Sequence, residues 1–525
     1  LAVFCEAAQV GARRAAMNMD DLTKSAPLSA AERQSVKQVA ARAKLGGNRT
    51  GRRLVVISNR APIEVVGEGS NQTTRRTVGG VAATFVRLLE NSGGLWIAWS
   101  GGQTAQRLTM PSHDAHLTVL LLGLTDREIT HYYHGLCNRA LWPLMHLNPQ
   151  RCHFDGIDWT HYQRVNSSFA HLVAAETVTQ DTVWVQDYHL ALVPSMLREL
   201  RGGSTIGLFW HVPFPPEPVF RIFPWRAELL RGMLGADLIG FHTRSYAREF
   251  LTACERLLRL KVDHESGVVS VNGRQVAVRA FPLGVAAADF ADLAASEQVR
   301  QRALDIQQSV GTPRIILGVD RLDYTKGIPE RLLAFEQFLG RNSEYHGRVA
   351  MIQIAVPSRE RVPAYEQLRC KVEELVGRIL GSFSTDGWVP LRYLHTRLDQ
   401  EHLIAYYRAA EVALLTPLRD GMNLVAKEYV ASRVNDDGVL VLSEFAGAAE
   451  ELTEALLVNP YDVEAIALAL KQALEMPAEQ RTESMRAMRA KVNESTLDRW
   501  GEAFVAALNE SACRAERALA DTTGR

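Results

Sequence analysis

No stretch of this chain is apolar for long enough to cross a bilayer. The greasiest run, Leu117 to Leu124, is strand-sized, against the roughly 18 residues a spanning helix needs. There is no imbalance of charge either. Lys and Arg together number 59, as do Asp and Glu. No overall field therefore draws the protein to nucleic acid or an anionic membrane, and any anion site has to be built locally. Cysteine is scarce and scattered: Cys5, Cys137, Cys152, Cys254, Cys370 and Cys513 include no C-x-x-C pair. That excludes a disulfide scaffold or zinc ribbon and points to free, buried thiols in a reduced, cytoplasmic protein. His113 and His116, and likewise His131 and His134, have ligand-like spacing, but no thiol or carboxylate completes a tetrahedral set. They read as surface or packing histidines, and no metal is expected. Gly67-Glu68-Gly69 lacks the third glycine of a dinucleotide turn, which disfavours a nicotinamide enzyme. There is no H-E-x-x-H, Walker lysine, Ser-His-Asp array or kinase signature.

What is present is the alternation of strand and helix. The chain has 525 residues, 47% hydrophobic and 22% charged, a globular composition too long for one core. Residues 1–50 are rich in Ala and Arg and read as a flexible arm or as upstream sequence, since Met17 and Met19 follow an opening Leu. From Arg53 onward, buried strands are expected at Leu54–Ser58, Leu95–Trp99, Thr182–Gln186, Thr205–Trp210 and Leu238–Phe241. Helices fall between them, among them 81–89, 190–200 and 245–260. The pattern breaks at Phe281–Val285 and a loop-like Ala/Asp stretch, then resumes with strands at 314–319, 349–354, 412–415 and 438–442. Non-alternating strands separated by helices imply parallel sheets covered on both faces. The expected architecture is α/β with two doubly wound Rossmann-like domains facing across a cleft, residues 51–290 and 311–475, followed by C-terminal helices over 476–525. Ligands of such sheets lie outside the carboxyl ends of the strands.

The chemistry-bearing residues fall at those ends. Thr416 to Glu428 follows a strand, passes through Gly421, and opens a helix for which Asn423 is a good N-cap. Amides at a helix start hold anions, and Asp420 and Glu428 flank the spot, although Asp-Gly before a helix is often only a turn. Arg321 and Lys326 sit on the strand-to-helix loop Gly318–Gly327, where they suit the charge of a departing diphosphate. A solvated loop with an Arg321–Asp323 ion pair is the plainer alternative. Asn59-Arg60 ends the first strand, and Gly79-Gly80 opens a helix as a second, weaker cradle. Asp187 and His211 end two further strands and project toward the cleft, unless His211 is merely structural. Arg359 is another strand-end cation. Tyr133 and Trp142, on a helix and at its exit, offer flat apolar faces for a sugar, though core packing explains most such rings. Cations, glycine-lined amides and carboxylates at strand ends suit transfer of a sugar from a nucleotide to a phosphorylated acceptor.

From about Arg53 to Leu508 the chain resembles the trehalose-6-phosphate synthases, retaining glycosyltransferases of the GT-B fold. The resemblance rests on SNR, GG, the LW pair at Trp142, DYHL, HVPFP, RLDYTKG, the PSR turn and PLRDGMNLVAKEY, in family order. It implies UDP-glucose as donor, glucose 6-phosphate as acceptor, α,α-trehalose 6-phosphate and UDP as products, and no cofactor or metal. Arg321 and Lys326 would hold the diphosphate. Leu424, Val425, Ala426, Lys427 and Glu428 would hold phosphate and ribose, with Glu428 on the ribose hydroxyls. Asp420 and His211 would hold the transferred glucose, and Gly79 and Gly80 would approach the donor. Arg60 and Arg359 would grip the acceptor phosphate, with Tyr133, Trp142 and Asp187 around the acceptor. A longer loop between Arg60 and Gly80 departs from the shortest family pattern. No D-x-D-x-T phosphatase segment follows, so a separate trehalose-phosphate phosphatase is expected downstream.

Two readings compete. A sister glucosyltransferase would use another phosphorylated acceptor, such as glycerol 3-phosphate; Tyr133 and Trp142 favour a ring-sized one. A non-catalytic regulatory subunit would have lost the charged residues that are present here. Nucleotide preference and homo-oligomerisation are left open by the sequence.

Overall fold

A computed structural model describes residues 53–61, 63–66, 73–76, 85–86, 88–89, 94–111, 116–312, 314–359 and 362–523. Two large sheets organise them, and Ile63–Val66 pairs antiparallel with Thr73–Arg76 in a separate two-stranded sheet. The first has the strand order Lys261–Asp263, Val268–Val271, Arg274–Ala280, Leu238–Phe241, Thr205–Phe209, Thr182–Gln186, Leu54–Arg60, Leu95–Trp99, His116–Leu122, Gln106–Pro111. The second runs Leu391–Leu394, Val349–Val356, Arg314–Arg321, Val412–Leu415, Val439–Ser443, Leu456–Val458, and every pairing in it is parallel. The central strands are continuous buried runs such as Leu95–Trp99 and Thr182–Gln186. Such runs need cover on both faces, which is why helices flank them.

The expected strands are all found: Leu54–Arg60, Arg314–Arg321 and Val349–Val356 run on by two residues, Thr205–Phe209 stops one short and Val439–Ser443 is shifted by one. Three expectations need correction. The first sheet is not wholly parallel: Gln106–Pro111 pairs antiparallel with His116–Leu122, and Lys261–Asp263 and Val268–Val271 fold back antiparallel beyond Arg274–Ala280, which itself pairs parallel with Leu238–Phe241. The Ala/Asp stretch after Val285 is helical, Ala287–Ala295, because Ala favours helix and Ala287, Phe290 and Ala294 supply a buried stripe. The helix expected over 190–200 spans Val193–Leu200, after a tight turn at Tyr188–Leu190.

The C-terminal helices do not form a separate layer. Leu497–Thr523 lies across the first sheet, where Phe504 stacks on Trp184 with centroids 4.3 Å apart and planes 8° apart. Gly207 and Gly240 floor this seat: a Cβ on either would come within 2.8 Å of the Phe504 ring. The chain crosses between the lobes twice at one place. Val285 leaves the first lobe beside Thr496, where the chain returns, and the Leu497 N–H donates to the Val285 carbonyl at 3.2 Å. No helix among the described residues is long and apolar enough to cross a membrane.

In the second lobe one fully buried cation ties the strand ends together. Arg331 donates to Asp320 Oδ2 at 2.5 Å, Gln353 Oε1 at 3.1 Å, Thr416 Oγ1 at 3.2 Å and the Lys326 carbonyl at 3.3 Å. Removing it would leave Asp320 buried without a countercharge. Arg331→Ala is therefore expected to cost about 3–5 kcal/mol of stability, read as a fall in the urea midpoint. An unchanged midpoint would show that the network does not hold these strand ends.

Candidate active site

The cleft faces the carboxyl ends of both sheets. On the first lobe Arg60, exposed at the end of its strand, donates through Nη2 to the Tyr133 hydroxyl at 2.8 Å. Tyr133 lies on Ile129–Leu141, a wide helix wound with i→i+5 bonds, and Trp142 begins the next helix. Helices of this pitch are uncommon and concentrate at functional sites. From the second lobe, Arg359 follows the Val349–Val356 strand with a left-handed φ of 49°. Its guanidinium lies 3.8 Å from the centre of the Trp142 ring and donates to the hydroxyls of Tyr365 at 2.7 Å and Tyr188 at 3.4 Å. Burial opposes ionisation of the Tyr133 phenol, yet Arg60 and Arg359 together hold its pKa below the usual value. Guanidinium groups from two lobes thus act on one phenol, which makes a positive pocket walled by aromatic faces.

Beside it lies the group expected to form a second anion cradle. Arg321 is exposed at the end of its strand, with its guanidinium 5.4 Å from the centre of the same Trp142 ring. Lys326, on the Tyr324–Lys326 turn, donates to Asp420 Oδ2 at 2.5 Å. Asn423 donates to that carboxylate at 3.2 Å, and its Oδ1 caps the Leu424–Ser432 helix by accepting from the Ala426 N–H at 3.1 Å. The amides of Leu424 and Val425 at this helix start have no acceptor within the helix and carry its positive dipole end. Not every side chain of this segment turns toward the cleft. Lys427 is buried and donates to the Leu283 carbonyl at 2.8 Å and Glu451 at 2.6 Å, tying the helix to the linker between lobes. Glu428 accepts from the Tyr407 hydroxyl at 2.9 Å, and burial raises its pKa.

Between the two cradles the lobes touch. The His211 backbone N–H donates to Asp187 Oδ1 at 3.2 Å, and its ring Nε2 donates to Gln186 Oε1 at 2.9 Å. A Cβ on Gly421 would stand 2.3 Å from the His211 carbonyl oxygen, so only glycine lets the Asp420 loop seat here. The Tyr246 hydroxyl donates to the Asp420 carbonyl at 3.1 Å across the same seam. Gly79 and Gly80 lie outside the described residues.

Burial lowers the pKa of His189, His211 and His242, and takes His146 to about 4. These rings are neutral in the fold and protonate more readily when unfolded. Below about pH 6.5 the unfolded chain therefore takes up the extra protons, and stability should fall as pH drops from there toward about 4. Asp187 and Asp323 have depressed pKa values, the latter at about 2, so their contribution is lost only at lower pH. Urea midpoints at pH 7.5, 6 and 5 should decline in that order. The carboxyls of Asp320, Glu330 and Glu428, raised by burial, act in the opposite sense, so direct NMR titration of the four rings decides: imidazole signals that titrate at or above the ordinary histidine range would overturn the reading.

Several site residues had no separate signal in the sequence. Tyr188 and Gln186 adjoin Asp187 but carry no pattern of their own. Asp323 does not lie in a solvated loop: it is fully buried, lies 3.6 Å from Arg359, and against that burial is held ionised by the charges of Arg359 and then Arg321. Tyr365, on the Pro363–Phe383 helix, has no local motif.

Two Rossmann-like lobes with anion cradles on their facing strand ends define a glycosyltransferase of the GT-B type. The family model of Glycosyltransferase family 20 matches residues 52–510, and the chain belongs to this family. It is 42% identical over 467 residues to a trehalose-6-phosphate synthase of Mycolicibacterium vanbaalenii, covering 86% of this chain and 95% of the relative. Among solved structures, α,α-trehalose 6-phosphate synthase from Burkholderia multivorans superposes with a TM-score of 0.82 at 39% identity, covering 91% of this chain and 99% of the other. A UDP-forming α,α-trehalose-phosphate synthase from Burkholderia xenovorans, in complex with glucose-6-phosphate, gives 0.80 at 34% identity, covering 87% and 100%.

Proposed function

We propose that the chain transfers glucose from UDP-glucose to glucose 6-phosphate with retention, releasing UDP and α,α-trehalose 6-phosphate. The observation that carries this reading is the pair of separate anion cradles. One is formed by Arg60, Tyr133 and Arg359 between the lobes. The other is formed by Arg321, Lys326 and the start of the Leu424–Ser432 helix within the second lobe. A nucleoside diphosphate and a sugar phosphate need two such places, with room for a sugar between them. Residues 51–290 would supply the acceptor side and residues 311–475 the donor side. Asp420 and His211, at the seam, would hold the hydroxyls of the transferred glucose, and Asp187 would face the acceptor. Asp420 would pass from Lys326 to the sugar as the ammonium turns to the diphosphate. Arg321, Lys326 and the helix amides would stabilise charge as it grows on the leaving diphosphate. Attack on the face the diphosphate leaves needs no protein nucleophile. The protein would work in the cytoplasm, with a separate phosphatase acting on its product.

The test is incubation with UDP-glucose and either glucose 6-phosphate or glycerol 3-phosphate, followed by separation of the anionic products. Stoichiometric UDP and a phosphorylated disaccharide are expected with glucose 6-phosphate alone. Glycerol 3-phosphate as the better acceptor would overturn the substrate assignment. With cations in place to carry the leaving charge, the rate should be the same in excess chelator and with added Mg²⁺. Loss of activity in chelator, restored by metal, would overturn that part.

A further inference from the structure

The two cradles share one buried carboxylate. Asp323 Oδ1 accepts from the Thr325 N–H at 3.1 Å, the Thr325 hydroxyl at 3.0 Å and the Trp142 indole N–H at 3.4 Å. Asp323 Oδ2 accepts from the Tyr365 hydroxyl at 3.0 Å and lies 3.6 Å from Arg359 Nη1, which itself donates to Tyr365 at 2.7 Å. One oxygen thus shapes the turn that carries Lys326, and the other orients Arg359. We propose that Asp323 and Tyr365 are positioning residues that aim Arg359 at the acceptor phosphate while Asp323 also fixes the donor turn. This rests on the functional reading above, which places the acceptor phosphate at Arg359.

The chemistry of the group explains why a carboxylate is needed. Both of its oxygens accept, and donors meet it from both sides. An amide accepts on one side only and donates on the other. In Asp323→Asn the amide oxygen should stay with the three donors on the Oδ1 side. Its NH₂ then faces Tyr365 and Arg359, so the guanidinium loses a countercharge and meets another donor. Tyr365 completes the relay: it receives a hydrogen bond from Arg359 and passes one to Asp323. Tyr365→Phe keeps the ring and removes only that link. Neither side chain needs to touch substrate, because both act through Arg359.

The experiment is a double-mutant cycle on the full chain with Asp323→Asn, Tyr365→Phe and both together. Two quantities are read by calorimetry: UDP binding to free enzyme, and glucose 6-phosphate binding to UDP-saturated enzyme. Acceptor KM and kcat are measured on the same preparations. Each single variant should weaken glucose 6-phosphate binding and raise acceptor KM by about tenfold, with UDP affinity within about threefold of wild type. The double variant should be no worse than about the poorer single one, because both break one relay. Parallel loss of UDP and acceptor binding in Tyr365→Phe, which leaves the donor turn untouched, would indicate general loosening and overturn the proposal, as would additive effects or an unchanged acceptor KM. If Asp323→Asn does not fold, Tyr365→Phe alone decides: an unchanged acceptor KM overturns it. Failure of the wild-type enzyme to use or bind glucose 6-phosphate would instead strike the functional reading.

Discussion

Arg321→Ala and Lys326→Ala are each expected to lower turnover by about thirtyfold to a thousandfold, since one contact to charge that grows in the transition state is worth about 2–4 kcal/mol. The two should differ in stability. Arg321 is exposed at its strand end and touches the protein mainly through the Trp142 ring, so its removal should leave the melting temperature close to wild type. Lys326 is buried and paired with Asp420 at 2.5 Å, so its removal should destabilise as well. Arg in place of Lys326 should not restore the rate, because a planar fork does not fit where a compact ammonium turns between a carboxylate and a phosphate. Turnover and melting temperature are to be measured on the same preparations. Wild-type turnover in either folded variant would remove that residue from the leaving-group site.

Arg359→Ala is expected to weaken use of glucose 6-phosphate by about ten- to a hundredfold, the scale of a charge-assisted contact worth about 1.5–3 kcal/mol. UDP binding to the free enzyme should change little, because the diphosphate keeps Arg321, Lys326 and the helix start. The melting temperature should fall too, because Asp323 is completely buried and Arg359 is its nearby countercharge. Arg359→Lys separates the two effects. It restores a cation beside Asp323, and hence much of the stability, but it lacks the fork that spans Tyr365, Tyr188 and a phosphate. Equal loss of UDP and acceptor binding would make Arg359 a lobe-packing residue. Intact acceptor use would remove it from the site.

The local pattern carried the strands that are buried on both faces. Thr182–Gln186, Leu238–Phe241 and Val412–Leu415 are bounded as expected because a short apolar run between helices has one stable use, the interior of a parallel sheet. The cations and carboxylates at strand ends followed from that, since topology puts every such end on one side. The edge strands did not follow: Gln106–Pro111 and Lys261–Asp263 carry polar residues and look like loop. The helix at Ala287–Ala295 was obscured by its Asp residues, whose local preference tertiary burial overrides. Contacts between distant segments were out of reach in principle. Nothing near Tyr365 announces Asp323, and nothing near Trp500 or Phe504 announces Trp184, because both encounters are decided by how whole elements pack.

The return of Leu497–Thr523 to the first sheet sets an order of events during synthesis. The first lobe's strands leave the ribosome before the second lobe, but the helix that covers the Gly207 and Gly240 floor is made after it. Until then Trp184 has Phe85, and Phe209 has His211 and His242, but both lack the rings of Trp500 and Phe504. The nascent first lobe must wait, with an aromatic groove open, while the whole second lobe is translated and able to fold. Apolar surface left uncovered for that long is what chaperones bind and what drives aggregation. Completion of the first lobe is thereby tied to synthesis of the second.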